Sequence, residues 1–72
     1  MTRTGFGELP DLATRQQVAE YTQTSVPTLA RWAGEGIGPK FVRLGPDGGA
    51  IRYRREDVLQ WLDERMRAVT SA

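Results

Sequence analysis

At 72 residues the chain suffices for one small domain, and a domain of that size buries only about 60% of the surface its unfolded chain exposes. With no cysteine and no histidine, a disulfide framework and the usual zinc ligand sets are excluded, so aliphatic and aromatic side chains must carry the core, and no metal or cofactor is expected. The formal net charge of +1 hides a partition: residues 25–55 hold Arg31, Lys40, Arg43, Arg52, Arg54 and Arg55 against Glu35 and Asp47, while the remainder is acidic. A chain polarised in this way steers a polyanion to one face, which total charge does not report. No apolar run approaches the ~18 residues of a membrane span, and residues 1–9 lack the apolar stretch of a secretory signal.

Residues 1–11, with Gly5, Gly7, Pro10 and a single aromatic, Phe6, show no periodicity and are expected to form a mobile arm. Thr14 followed by Gln17 has the spacing of a capping box, predicting a first helix over Arg15–Thr22 with Val18, Ala19 and Tyr21 on its apolar side. Eight residues do not make a helix that stands alone, so packing must hold it. Residues 23–25 are then a turn, and Ser25 can cap a second helix whose first turn accommodates Pro27. Leu29, Trp32 and Ala33 fall on one face of that helix, which is expected to be buried. Gly34 or Gly36 ends it, Gly38-Pro39 keeps it from resuming, and Ile37 is expected to plug the core beside Trp32.

Strands are expected at residues 40–44 and 50–53, joined by the five-residue loop GPDGG. Alternation in the second sets Ile51 and Tyr53 toward the core and Arg52 toward solvent, and in the first it favours Phe41 as the buried residue. A last helix begins at Arg54 or Arg55, with Glu56 and Asp57 in its first turn and Arg65 and Arg67 near its end, as the helix dipole prefers. Val58, Leu62, Met66 and Val69 recur at helical spacing with Trp61 beside them, and this stripe is expected to pack; residues 70–72 fray.

Helix, turn, a second helix carrying SxxTLxRW, a basic hairpin, and an acidic-starting helix with DVLQWL together resemble the small winged helix-turn-helix proteins of the excisionase, MerR-like and AlpA-like group. The resemblance covers residues 12–64 and rests on Thr28, Arg31, Trp32, Ile51, Arg52, Tyr53, Asp57, Val58, Trp61 and Leu62. It implies a mainly α fold with a small β-hairpin: three helices plus a two-stranded wing over residues 12–69. The implied activity is non-catalytic binding and bending of double-stranded DNA by an excisionase, or recombination directionality factor. Such a protein would sit cooperatively beside copies of itself on attachment-site repeats and help a phage integrase excise. A small phage or prophage transcriptional regulator is the alternative with the same fold, and a protein-binding adaptor is a third reading. The expected setting is the nucleoid in the cytoplasm of a bacterial host. One departure stands out: relatives usually carry leucine and glycine before the turn, where this chain has Thr22 and Gln23.

In that fold the second helix addresses the major groove through Ser25, Val26, Pro27, Thr28 and Arg31. A planar arginine fork can bond a guanine edge at two points, which makes Arg31 either a base reader or a phosphate clamp; Val26 and Pro27 offer apolar surface to thymine methyls. Arg43 and Arg52 project from the wing, where a narrow minor groove attracts arginine, and Lys40, Arg54 and Arg55 suit flanking phosphates, the last two alternatively serving only as helix-entry residues. With Pro27, Ala30 and Gly34 on the second helix, few side chains remain for base reading, so phosphate contacts and DNA shape gain weight. Catalysis is not expected. Tyr53 among arginines superficially suggests a recombinase nucleophile, but it belongs to the strand pattern. Gly34, Gly36 and Gly38 follow a helix, whereas a phosphate loop precedes one.

Overall fold

The computed structural model describes residues 8–70, which run in the order β1 (Leu12–Thr14), α1 (Arg15–Thr22), α2 (Val26–Glu35), β2 (Val42–Leu44), β3 (Ala50–Arg54) and α3 (Arg55–Thr70). The local signals act as expected at α1: Gln17 N–H donates to Thr14 Oγ1 at 3.1 Å and Thr14 N–H to Gln17 Oε1 at 2.9 Å, closing the capping box. Ser25 caps α2, with Thr28 N–H donating to its Oγ at 3.2 Å and proline in the first turn. Both helices end on a residue in the left-handed region, with the following N–H reaching back five residues: Thr24 to the Ala19 carbonyl at 2.8 Å and Ile37 to the Trp32 carbonyl at 3.0 Å. At the end of α2 that residue is Gly36, φ 75°, and at the end of α1 it is Gln23, φ 60°. The departure in the turn motif is thus resolved with a side chain in a conformation that glycine adopts freely. Thr22 Oγ1 donates to the Val18 carbonyl at 2.8 Å and meets Thr24 Oγ1 at 2.9 Å, bracing the same turn.

The fold is the expected winged helix-turn-helix with one element added. A third strand, β1, pairs antiparallel with β3, so the sheet order is β1-β3-β2 and the wing is the outer hairpin of a three-stranded sheet. Three residues including an alanine carry no readable alternation; their extended state comes from pairing Leu12, Ala13 and Thr14 with Arg54, Tyr53 and Arg52. Ala13 is fully buried because it lies opposite Tyr53, whose bulk fills the space alanine leaves.

The core consists of Leu9, Ala13, Val18, Ala19, Leu29, Tyr53 and Val58, bordered by Tyr21, Trp32, Phe41, Ile51 and Leu62. Leu9 lies three residues before the expected start of the domain, and the chain after it is tied down. Arg55 N–H donates to the Asp11 carbonyl at 2.9 Å, its guanidinium donates to the Leu9 carbonyl at 3.4 Å, and it pairs with the Asp11 carboxylate at 2.8 Å. Residues 8–11 are therefore attached to the domain; the rest of the expected arm, 1–7, and the tail residues 71 and 72 lie outside the described residues.

Two expectations about packing are corrected. Ile37 is 50% exposed and does not plug the core. Gly36 closes the helix and turns the chain there, and the place beside Trp32 goes to Trp61, with ring centroids 5.7 Å apart. The Ile37 carbonyl contributes instead, accepting from Trp61 Nε1 at 3.0 Å. Met66 is 65% exposed: Val58 is sealed and Leu62 half-buried, but the next turns of α3 run past the end of this small core. The first wing strand, expected at residues 40–44, is also shorter, since β2 starts at Val42 while Phe41, just before it, packs its ring 5.8 Å from that of Tyr53.

Candidate nucleic-acid interface

Burying Leu29 leaves Val26, Pro27, Ala30, Arg31, Gly34 and Glu35 exposed on α2, together with its cap, Ser25. Of these, Arg31 has no ion pair or hydrogen bond among the described residues, so its fork is available. The hydroxyls fare differently. Ser25 Oγ accepts from Thr28 N–H and donates to Thr28 Oγ1 at 2.8 Å, which commits it to capping and leaves Thr28 with one hydroxyl hydrogen to offer a partner. Around Arg31 the surface is small or apolar except for Glu35, one turn on, and a Cβ added at Gly34 would meet nothing within 4 Å, so a partner's backbone can approach closely there.

The sheet register decides how the wing presents its charges. Arg43 stands opposite Ile51, and Arg52 opposite Val42 and, on its other side, Thr14. Because successive side chains alternate across a strand, Arg43 shares the face of Phe41, Ile51 and Tyr53, whereas Arg52 lies on the outer face. The two arginines therefore flank the wing from opposite sides. Arg52 is half-buried and donates to the neighbouring Ile51 carbonyl at 2.9 Å. Arg43 is exposed, its guanidinium 5.5 Å from the Phe41 ring centroid. The hairpin tip uses Gly48 at φ 68°, where a Cβ would stand 3.5 Å from Arg43 Cδ, so the turn lies against the arginine's stem.

Lys40 is exposed between α2 and the wing and has no ion pair among the described residues. Arg54 and Arg55 are already engaged at the start of α3: Arg54 with Glu56 and, at 3.8 Å, with Asp57; Arg55 with Asp11 and the Leu9 carbonyl. These contacts fit the helix-entry alternative for both, although exposed pairs of this kind are worth only about 0–1 kcal/mol and yield readily to a phosphate. Arg67 pairs with Asp63 at 3.0 Å, and Arg65 lies 5.9 Å from the Trp61 ring, in keeping with structural duties on α3.

One cation escaped the sequence reading. Arg15 opens α1 among residues whose local charge is acidic, and nothing in its spacing marks it. Tertiary packing brings it against the root of the wing, where its Nε donates to Tyr53 Oη at 3.0 Å and its guanidinium lies 5.8 Å from the ring centroids of both Phe41 and Tyr53. Among the described residues no group of His, Cys, Asp and Glu could hold a metal, and no helix is long and apolar enough to cross a membrane.

Comparison with curated proteins and with solved structures returned no match. A family model described as a helix-turn-helix domain matches residues 14–66, from the capping threonine of α1 through the wing and most of α3. That span includes the capped helix pair, its turn and the basic hairpin, so the chain belongs to the helix-turn-helix domain family, a small DNA-binding family that includes excisionase-like proteins.

Proposed function

We propose that this protein binds and bends double-stranded DNA as a phage excisionase, a recombination directionality factor that helps an integrase carry out excision. The observation that carries the reading is the imbalance between the two DNA-facing elements: α2 offers a single cation, the unpaired Arg31, while the wing carries Arg43 and Arg52 on opposite faces. Sparse base-reading groups beside a doubly charged ribbon favour recognition through phosphates and groove shape, and a wing flanked by arginines draws toward a narrowed minor groove. Arg31 serves as the main major-groove contact, with Val26 and Pro27 against thymine methyls and the Thr28 hydroxyl against a phosphate or base. Lys40 lies beside a flanking phosphate, joined by Arg54 and Arg55 when they exchange their carboxylates for DNA. Repeated attachment-site sequences would then be covered by adjacent copies, and integrase would join the assembly.

With about four to six phosphates neutralised per protomer, log affinity should fall with log salt at a slope of roughly −4 to −5. A slope near zero removes the electrostatic basis of the reading, and so does retention of full affinity for every duplex by the Arg31→Ala, Arg52→Ala double variant. Circular-permutation gel shifts should show position-dependent mobility, the sign of a bend. The functional test is excision of an attachment-site substrate by integrase with and without this protein. Stimulation supports the excisionase reading, whereas promoter repression with no effect on excision selects the transcriptional-regulator alternative.

A further inference from the structure

Arg15 and Arg43 are 28 positions apart, yet both guanidinium groups lie against the Phe41 ring, at 5.8 and 5.5 Å from its centroid. Each rests against a neighbouring segment. Arg15 is anchored through Nε by the hydroxyl of Tyr53, itself 1% exposed, and the stem of Arg43 lies under the Gly48 turn. Neither has a carboxylate partner among the described residues, in contrast to Arg54, Arg55 and Arg67. No buried side-chain nitrogen or oxygen among those residues lacks a hydrogen-bond partner, so the terminal amino groups of Arg15, which donate to no protein acceptor there, reach solvent. Two cations therefore border the same aromatic ring and face water without a counter-charge. Their place, between the first turn of α1 and the root of the wing, is where the first helix of a helix-turn-helix crosses the DNA backbone.

We propose that Arg15 and Arg43, gathered on Phe41, form a two-arginine site for a DNA backbone phosphate that locks the wing to the helix-turn-helix in the complex. The inference rests on the DNA-binding reading above. It adds a residue from α1 to the interface and makes Phe41 and Tyr53 its supports. A planar fork held by stacking and by one side nitrogen keeps its outer N–H pair free for two parallel bonds to phosphate oxygens. Such a contact carries no sequence information, so it acts on all duplexes alike.

The test is a fluorescence-anisotropy titration of a labelled duplex across a salt series, with a specific and an unrelated sequence. Arg15→Gln should make the slope of log affinity against log salt less negative by about 1 and weaken binding to both duplexes by the same factor, while Arg15→Lys should restore the slope. The Arg15→Gln, Arg43→Gln double variant should lose less than the product of the two single-variant losses, because the pair shares one phosphate. The slope is a gradient, so it stays informative if Arg15→Gln lowers the folded fraction. An unchanged slope in Arg15→Gln, or strictly multiplicative losses in the double variant, overturns the proposal even if its melting temperature falls. If the wild-type protein shows no salt-dependent binding to any duplex, the DNA-binding reading itself fails and this site fails with it.

Discussion

Gln23 ends α1 at φ 60°, ψ 40°, a left-handed conformation that costs a side-chain-bearing residue about 1–2 kcal/mol relative to its ordinary regions. Its side chain is exposed and makes no hydrogen bond among the described residues, while its backbone N–H closes the helix on Ala19 and Glu20, so a substitution there removes strain without removing a contact. Replacing it with glycine releases that strain but enlarges the freedom of the unfolded chain, a penalty of about 0.4–1 kcal/mol. The net expectation for Gln23→Gly is a gain of about 0.5–1 kcal/mol, which for a domain of this size raises the melting temperature by about 2–8 °C. Gln23→Val, β-branched and therefore poorly tolerated at positive φ, should move the other way. Thermal unfolding followed by circular dichroism at 222 nm measures both. If the glycine variant melts below the wild type, or if the two variants shift together, the turn does not hold the conformation described and the account of how α1 hands over to α2 is wrong.

The remaining predictions concern packing. Leu9→Ala, at a site 4% exposed, should cost about 2–4 kcal/mol in urea unfolding, whereas Ile37→Ala, at 50%, should cost under about 1 kcal/mol; the reverse order would return Ile37 to the core and Leu9 to the arm. Trp61→Phe keeps a ring beside Trp32 but hands the Ile37 carbonyl to water, and should destabilise by about 0.5–1.5 kcal/mol with a changed Trp32 emission; no change in either would dismiss that hydrogen bond.

Helix boundaries, caps, the GPDGG hairpin and the acidic start of α3 were legible because each depends on residues within a few positions of one another. A threonine and a glutamine three apart either close a capping box or do not, and here they do. The winged arrangement followed from the order of these pieces, and the major candidates for DNA contact followed from where the basic residues lie in them. Local pattern also set its own limits. A helical stripe continues in sequence through Met66 regardless of whether any core remains to receive it, and in a domain this small the core ends first.

Long-range pairing decided the rest. Leu12–Thr14 is a strand only because β3 offers it an edge, and Leu9 joins the core where the backbone bond from Arg55 N–H to the Asp11 carbonyl ties residues 9–11 to the start of α3. Sheet register set Arg43 opposite Ile51 and Arg52 opposite Val42, fixing the opposite faces that alternation with Phe41 in the core favours. The position of Arg15 has the same origin: an arginine flanked by uncharged residues in sequence becomes part of the wing's cationic surface because Tyr53, 38 residues away, holds its Nε. Sequence by itself determined which helices form, where they stop and how charge divides along the chain, since those are short-range preferences of backbone and side chain. That Arg15 and Arg43 stand beside one ring was settled by distant segments closing on one another around Tyr53 and Phe41.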